Sequence, residues 1–185
     1  MAEDERQVAW SGIETLLNAA KAQLNDQQVN SYLNDVAERS GHNIREARMW
    51  YPLAVYEQML TLLGQRCFPG FKEREQAYNL GLAAFEAYRQ TTIGRVTTSA
   101  ISAIGPYKTL ERICKQLSQT FSGSTCKINQ SVPHHYSLLI NGPHPHPAYL
   151  EGYLRSILNA SGAQQLIIAA GPNAPEQGSF DISWS

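Results

Sequence analysis

The sequence has no excess of charge of either sign: fifteen Lys and Arg stand against sixteen Asp and Glu, for a net charge of −1. That balance offers no basic footprint for nucleic acid or for an anionic membrane surface. No apolar run approaches the roughly 18–20 residues of a membrane-spanning helix. The opening Met-Ala-Glu-Asp-Glu-Arg is acidic where a signal peptide would be apolar, so export is not expected. Cysteine is scarce. Cys67, Cys114 and Cys126 are odd in number and share no metal-ligand spacing, which predicts reduced thiols in a cytoplasmic protein. Gly12, Gly41 and Gly64 are isolated stops, so there is no phosphate-cradling loop. No catalytic constellation stands out.

What is present describes a globular chain. Hydrophobic residues make up 43% and charged residues 17% of 185 positions, enough for a sizeable core and for one domain over 1–185. The first part, 1–121, reads as mainly helical. Val8-Ala9-Trp10 is short and β-prone, a strand or an aromatic anchor. Ser11, with Glu14 three residues on, has the pattern of a capping box. Ile13, Leu16, Leu17, Ala20 and Leu24 then recur at helical spacing, and Val29, Tyr32, Leu33 and Val36 repeat it up to Gly41. Pro52 suits the first turn of a third helix ending near Phe68-Pro69-Gly70. Ala77, Leu80, Gly81, Ala84, Phe85 and Tyr88 form a fourth stripe.

The segment Gln90-Thr91-Thr92-Ile93-Gly94-Arg95 interrupts what could otherwise continue as one rod. Gly94 allows either a kink or the close approach of another backbone. Arg95 is expected to hold a neighbouring helix end through carbonyls or a carboxylate, so that Arg95→Ala would lower the melting temperature by several degrees. Gly105-Pro106 is a firm stop, and Leu110, Ile113, Cys114 and Leu117 mark one more helix.

From 122 to 185 the period changes. A strand begins near Thr125, and Tyr136, Leu138 and Ile140 alternate in a second. Pro147 opens a helix stopped by Gly162, and Leu166-Ile167-Ile168 and Phe180 to Trp184 form two closing strands. The Gly171 to Gly178 loop between them, with two prolines, is expected to be mobile. Helices followed by strand-strand-helix-strand-strand predict an α+β fold, an N-terminal helical layer packed on a four-stranded antiparallel sheet.

Several of these pieces, in this order, resemble an uncharacterised family of proteins of about this length, expanded as paralogues in myxobacteria. They are Val8-Ala9-Trp10-Ser11-Gly12-Ile13-Glu14, Tyr51-Pro52-Leu53, Phe68-Pro69-Gly70, Gln90-Thr91 with Gly94-Arg95, Gly105-Pro106 before Leu110-Glu111-Arg112, and Phe180-Asp181-Ile182-Ser183-Trp184. The resemblance implies the order of elements and carries no activity. At the level of topology the chain is also similar to the superfamily of haem–nitric-oxide sensors, vinyl-reductase-type ligand domains and vesicle-tethering subunits. That similarity implies an apolar ligand or acyl chain between helices and sheet.

The candidate chemistry is sparse. His134-His135 and His144-Pro145-His146 would need a hairpin to bring three imidazoles together on a metal. Neighbouring histidines on a strand point to opposite faces, and the alternating prolines suggest a stiff, solvated loop, so no metal is expected. Haem is not expected either. His42 is the only histidine before the sheet, and Tyr136-Ser137-Leu138-Leu139-Ile140 lacks the arginine of the haem sensors' Tyr-x-Ser-x-Arg signature. Cys67 sits beside Arg66, which could lower its pKa, and beside Phe68 at a helix end, which suggests a structural thiol.

The remaining signal is a set of aromatics, Trp50, Tyr51, Tyr56, Phe68, Phe71, Tyr78, Phe85 and Tyr88, interleaved with Arg66, Arg74, Arg89 and Arg95. This is either an ordinary aromatic core with arginines reaching to solvent, or a site for a flat or acyl ligand with an arginine at its polar end. On the second reading the ligand residues are Tyr56, Phe85, Tyr88, Arg89 and Arg95. The function expected is a non-enzymatic cytoplasmic sensor or protein-interaction module, a homodimer that encloses a small apolar ligand or meets a protein partner. The alternatives are an enzyme built on Cys67 or His135 and a ligand-free scaffold.

Overall fold

The computed structural model describes residues 6–171 and 176–185; residues 172–175 of the loop expected to be mobile lie outside them. The chain opens with β1 (Gln7–Ala9), which passes directly into α1 (Trp10–Gln23). The Trp10 N–H is taken by the Met49 carbonyl at 3.0 Å, and Ala9 rather than Ser11 precedes the first turn. The capping box expected at Ser11 is therefore not formed; Ser11 lies inside the helix, where its carbonyl accepts from the Thr15 hydroxyl. A capping box does form one helix later. In α2 (Asp26–Ser40), Asn25 and Gln28 satisfy each other's backbone N–H groups, and Gly41 closes the helix at φ 71°.

A short strand not expected from the sequence, β2 (Trp50–Pro52), pairs antiparallel with β1 and places Val8 opposite Tyr51. Val8 also bridges Phe121, so the N-terminus ties the helical part to the start of the sheet. Then come α3 (Leu53–Cys67), α4 (Glu73–Gln90) and α5 (Thr92–Thr120).

The break between α4 and α5 is a single residue, Thr91. Its hydroxyl accepts the Gly94 N–H at 2.9 Å and caps α5. Gly94 lies so close to the end of α4 that a Cβ there would overlap the Tyr88 carbonyl. Close backbone approach is thus the role the glycine takes. Within α5, Gly105 has φ 80° and ψ 175°, a backbone state essentially confined to glycine, and Pro106 starts a second straight stretch.

The sheet is built from β3 (Thr125–Val132), β4 (His135–Asn141), β5 (Ile167–Ala170) and β6 (Gln177–Ser183), with α6 (Pro147–Ala160) between β4 and β5. The strand order is β3-β4-β6-β5 and every pairing is antiparallel, which is the α+β architecture expected. One face of the sheet is wet, with Ser137 and Asp181 hydrogen-bonded across it at 2.8 Å. The other contributes Leu138, Ile140, Phe180 and Ile182 to a core that runs on into the helices. Cys114 on α5 and Cys126 on β3 are joined as a disulfide, so the expectation of three free thiols fails for this pair.

At the centre, α4 and α6 touch backbone to backbone. A Cβ on Gly81 would overlap the Tyr149 carbonyl, and a Cβ on Gly152 would overlap the Tyr78 carbonyl. Two glycines on facing helices thus let the axes close to a separation that no larger residue permits.

Candidate functional site

Two turns of α3, the start of α4 and the segment 144–147 enclose a groove of about 500 Å³. Leu60, Ala77 and Pro145 supply its apolar walls, Tyr56 its inner end, and Glu57, Glu73 and Thr61 polar groups at its mouth. The α3–α4 turn is held by Gln76, whose amide donates to the Phe68 and Phe71 carbonyls at 3.1 and 2.9 Å. Gly64 keeps α3 close to that side chain, with a Cβ position 3.3 Å from Gln76 Cβ. The 144–147 wall is ordered by local chemistry. His146 caps α6, its Nδ1 accepting from the Ala148 N–H at 3.2 Å. His144 Nδ1 donates to the Pro145 carbonyl at 2.8 Å, which leaves Nε2 as a buried lone pair without a partner. Burial holds the His146 pKa below the usual histidine range, with Glu73 pulling weakly the other way, so the ring is neutral at pH 7. Of the segment expected to be a stiff, solvated loop, Pro145 is buried, His144 and Pro147 are half-buried and His146 is exposed.

Behind the groove a narrow cleft of about 60 Å³, also bordered by Tyr56 and Pro145, leads towards Tyr149 and Tyr153. Tyr56 and Tyr149 both line this cleft. Tyr149 stacks on Tyr153 at 6.4 Å, Tyr153 meets Phe85 edge-on at 5.9 Å, and Phe85 meets Tyr88 at 6.4 Å. Burial raises the phenol pKa values of Tyr56, Tyr149 and Tyr153, which all stay protonated at physiological pH. Three of the five sequence-derived ligand residues, Tyr56, Phe85 and Tyr88, thus lie along one aromatic series. The two links between them, Tyr149 and Tyr153, were seen in the sequence only as part of the α6 stripe. Their i, i+4 spacing around Gly152 was the available signal.

The arginines turn away from this series. Arg66 pairs with Asp35, Arg74 with Glu151 at 3.4 Å and Arg89 with Glu86 at 3.2 Å. Arg89 and Arg95 border a separate, open depression with Gln90, Thr98, Ser99, Ser102 and Ala160. Arg95 is exposed and makes no ion pair among the described residues, so it does not hold a helix end; the Thr91 cap does that work. Arg95→Ala should therefore leave the stability within about 0.5 kcal/mol of wild type. A thermal scan showing a loss of several degrees would restore the structural role.

The histidines do not converge. His135 starts β4 and His144 follows its far end, which separates the two pairs by roughly 20 Å at strand rise. His134 lies in the β3–β4 turn at φ 64°, beside Trp184. Cys67 is half-buried, and burial pushes its thiol up to about 11 against the pull of Arg66. Relative to the ordinary value of 9.0, its thiolate is on the order of a hundredfold scarcer at neutral pH. Iodoacetamide should accordingly modify native Cys67 much more slowly than a free thiol at pH 7, at a rate that climbs until about pH 11. Labelling at pH 7 as fast as a free thiol, read by intact mass, would reopen the cysteine-enzyme alternative.

Solved structures of H-NOX domains are similar to this chain in fold. An oxygen-binding H-NOX domain related to soluble guanylate cyclases, in its oxygen complex, matches with TM-score 0.63 at 10% identity, over 96% of this chain and 95% of that one. The Fe(II) unliganded H-NOX protein from K. algicida matches with TM-score 0.59 at 9% identity, over 96% of each chain. The chain itself belongs to the family described as Protein of unknown function (DUF2378), whose model matches residues 6–185. No curated protein matches it. The topological similarity to haem–nitric-oxide sensors is shown at the level of fold.

The residues present do not fit a haem. An axial ligand has to project from a packed element into a slot of several hundred Å³. No histidine lies within any of the six helices, and His42 is in a loop with Nδ1 engaged to the Ser40 carbonyl at 2.7 Å. On the inner sheet face Tyr136 stacks on Trp184 at 4.6 Å and packs against Tyr107 of α5 at 5.3 Å. Cys114, a thiolate in principle, is tied to Cys126.

Proposed function

We propose that this chain is a ligand-binding sensor module rather than an enzyme, and that it takes a small, largely apolar ligand in the groove between α3, α4 and 144–147. The observation that carries the reading is the groove itself: about 500 Å³, within the roughly 300–1,000 Å³ of small-molecule sites, with apolar walls at Leu60, Ala77, Pro145 and Pro147 and polar side chains of Glu57, Thr61, Glu73, Gln76, His144 and His146 around them. The fold shared with ligand-sensing domains supports it. Glu57 and Glu73 at the mouth favour a ligand whose polar end donates hydrogen bonds or carries positive charge. Tyr56 is the ligand contact at the inner end, and Phe85 and Tyr88 respond to occupancy through Tyr149 and Tyr153. Arg89 and Arg95 take no part in this groove. The module works as a homodimer in the cytoplasm, where a reducing thiol pool acts on the Cys114–Cys126 bridge. No helix among the described residues is long and apolar enough to cross a membrane.

Native mass spectrometry of freshly purified protein, repeated under denaturing conditions, tests the ligand. The expected result is a mass excess that disappears on denaturation. It should be missing in Thr61→Trp, which blocks the mouth from an exposed position and should leave the melting temperature unchanged. The reading fails if the wild type is apo and no compound in a panel of small apolar amines and alcohols raises its melting temperature.

A further inference from the structure

The bridge between Cys114 and Cys126 can be approached from outside the molecule. Both cysteines border an open depression of about 500 Å³ between the second stretch of α5 and the edge strand β3. Their burial differs. Cys114, in the apolar stripe of α5, is 8% exposed, whereas Cys126 is half-buried. A thiolate entering the depression therefore meets the Cys126 sulfur before that of Cys114.

The walls of the depression select among thiols by charge. Glu111 lines it, but Lys108 holds that carboxylate at 2.7 Å and matches its charge. Lys115 lines it as well, is exposed and makes no ion pair among the described residues. The charge left facing the sulfurs is thus positive, and Ser118 and Gln119 add hydrogen-bonding groups beside it. Such surroundings favour a small thiol that carries carboxylates over an uncharged one, and they stabilise the thiolate that leaves.

We propose that Cys114–Cys126 is a reversible thiol–disulfide exchange site, which takes a small carboxylate-bearing thiol of the glutathione class in this depression. The inference rests on the cytoplasmic reading given above and is independent of the ligand groove. The incoming thiolate attacks Cys126 Sγ and forms a mixed disulfide there. The Cys114–Cys126 bond breaks with its electron pair on Cys114 Sγ, which takes a proton from water. A second thiolate then attacks the sulfur of the bound thiol, releases the small-molecule disulfide and leaves Cys126 as a thiolate that is protonated in turn. In sum, two small thiols are oxidised to one disulfide while the protein bridge is reduced to two thiols. The reverse sequence closes it. The open form keeps β3 paired with β4 and loses the covalent tie of β3 to α5.

The test uses the full chain in a Cys67→Ser background, held at low temperature in glutathione buffers of varied reduced-to-oxidised ratio. Samples are quenched with acid, alkylated and read by intact mass. The bridge should open and close reversibly with the ratio while circular dichroism shows a folded protein. Cys114→Ser should accumulate a glutathione adduct on Cys126, and Cys126→Ser about tenfold less on the buried Cys114. Lys115→Glu should slow opening by glutathione roughly threefold more than opening by mercaptoethanol, which has no carboxylate. A native bridge that stays closed at every ratio and opens only in denaturant would overturn the proposal. Equal effects of Lys115→Glu on the two thiols would overturn the assignment of the thiol class. Fractionation of cells tests the compartment separately: chain found outside the cytoplasm, with the bridge still exchanging in vitro, would remove the cytoplasmic reading and leave the exchange site.

Discussion

Gly81→Ala and Gly152→Ala should each destabilise the protein by about 3 kcal/mol, the upper part of the range for overpacked interiors. For a chain of this size that corresponds to a loss of roughly 6–12 °C in melting temperature. A new Cβ usually meets side chains that can rotate aside. At Gly81 it would meet the carbonyl of Tyr149 and lie 2.8 Å from the Tyr153 nitrogen; at Gly152 it would meet the carbonyl of Tyr78 and lie 3.1 Å from the Leu82 nitrogen. Backbone in the middle of a helix cannot give without moving the whole element, so α4 and α6 must separate along their crossing. That separation also pulls Tyr149 and Tyr153 from Tyr56 and Phe85. The double variant should cost clearly less than the sum of the two singles, since both report on one contact. Gly70→Ala is the control: nothing lies within 4 Å of its Cβ position, and it should stay within about 0.5 kcal/mol of wild type. Urea unfolding measures all four variants. A Gly81→Ala protein as stable as the control would mean that the helices do not cross at these glycines.

The second large effect concerns Cys114 and Cys126. Under denaturing but non-reducing conditions, an alkylating agent should label Cys67 alone; labelling of all three thiols would disprove the bridge. The pair joins α5 to the edge strand β3, with Cα atoms 5.2 Å apart, inside the range a disulfide requires, and with a sequence separation of 12. Closing a loop of that length restricts the unfolded chain by about 3 kcal/mol in the chain-entropy account. Replacing both cysteines by serine, or reducing the wild type, should therefore lower the melting temperature by roughly 6–12 °C. The groove at α3 and α4 lies away from this edge, so ligand retention at low temperature should survive reduction.

Much of the fold was legible because its signals are local. The stop at Gly41, the restart at Asn25-Asp26, the alternation of Tyr136, Leu138 and Ile140, and the aromatic end of the last strand all follow from periods of 3.6 or 2 read over a few residues. The misreadings also have identifiable causes. Ser11 carries a capping pattern, yet β1 runs straight into α1 and the Met49 carbonyl takes the first N–H. Arg95 sits beside a helix break, yet a threonine hydroxyl three residues before the buried Gly94 satisfies that break.

For the candidate site, Tyr56 stood out as one aromatic among many, and nothing near it in sequence announced Tyr149. The groove exists because the 144–147 segment folds against α3 and α4 from more than sixty residues away. Sequence periodicity by itself determined the main elements, their order and the α+β class, though not the short β2, since helix and strand formation depend on which face of a short segment is apolar. Only the tertiary structure decided the glycine crossing of α4 and α6, the Cys114–Cys126 bridge, the aromatic series and the groove. Each of these is a contact between residues whose local patterns are unremarkable and whose meeting depends on how whole elements pack.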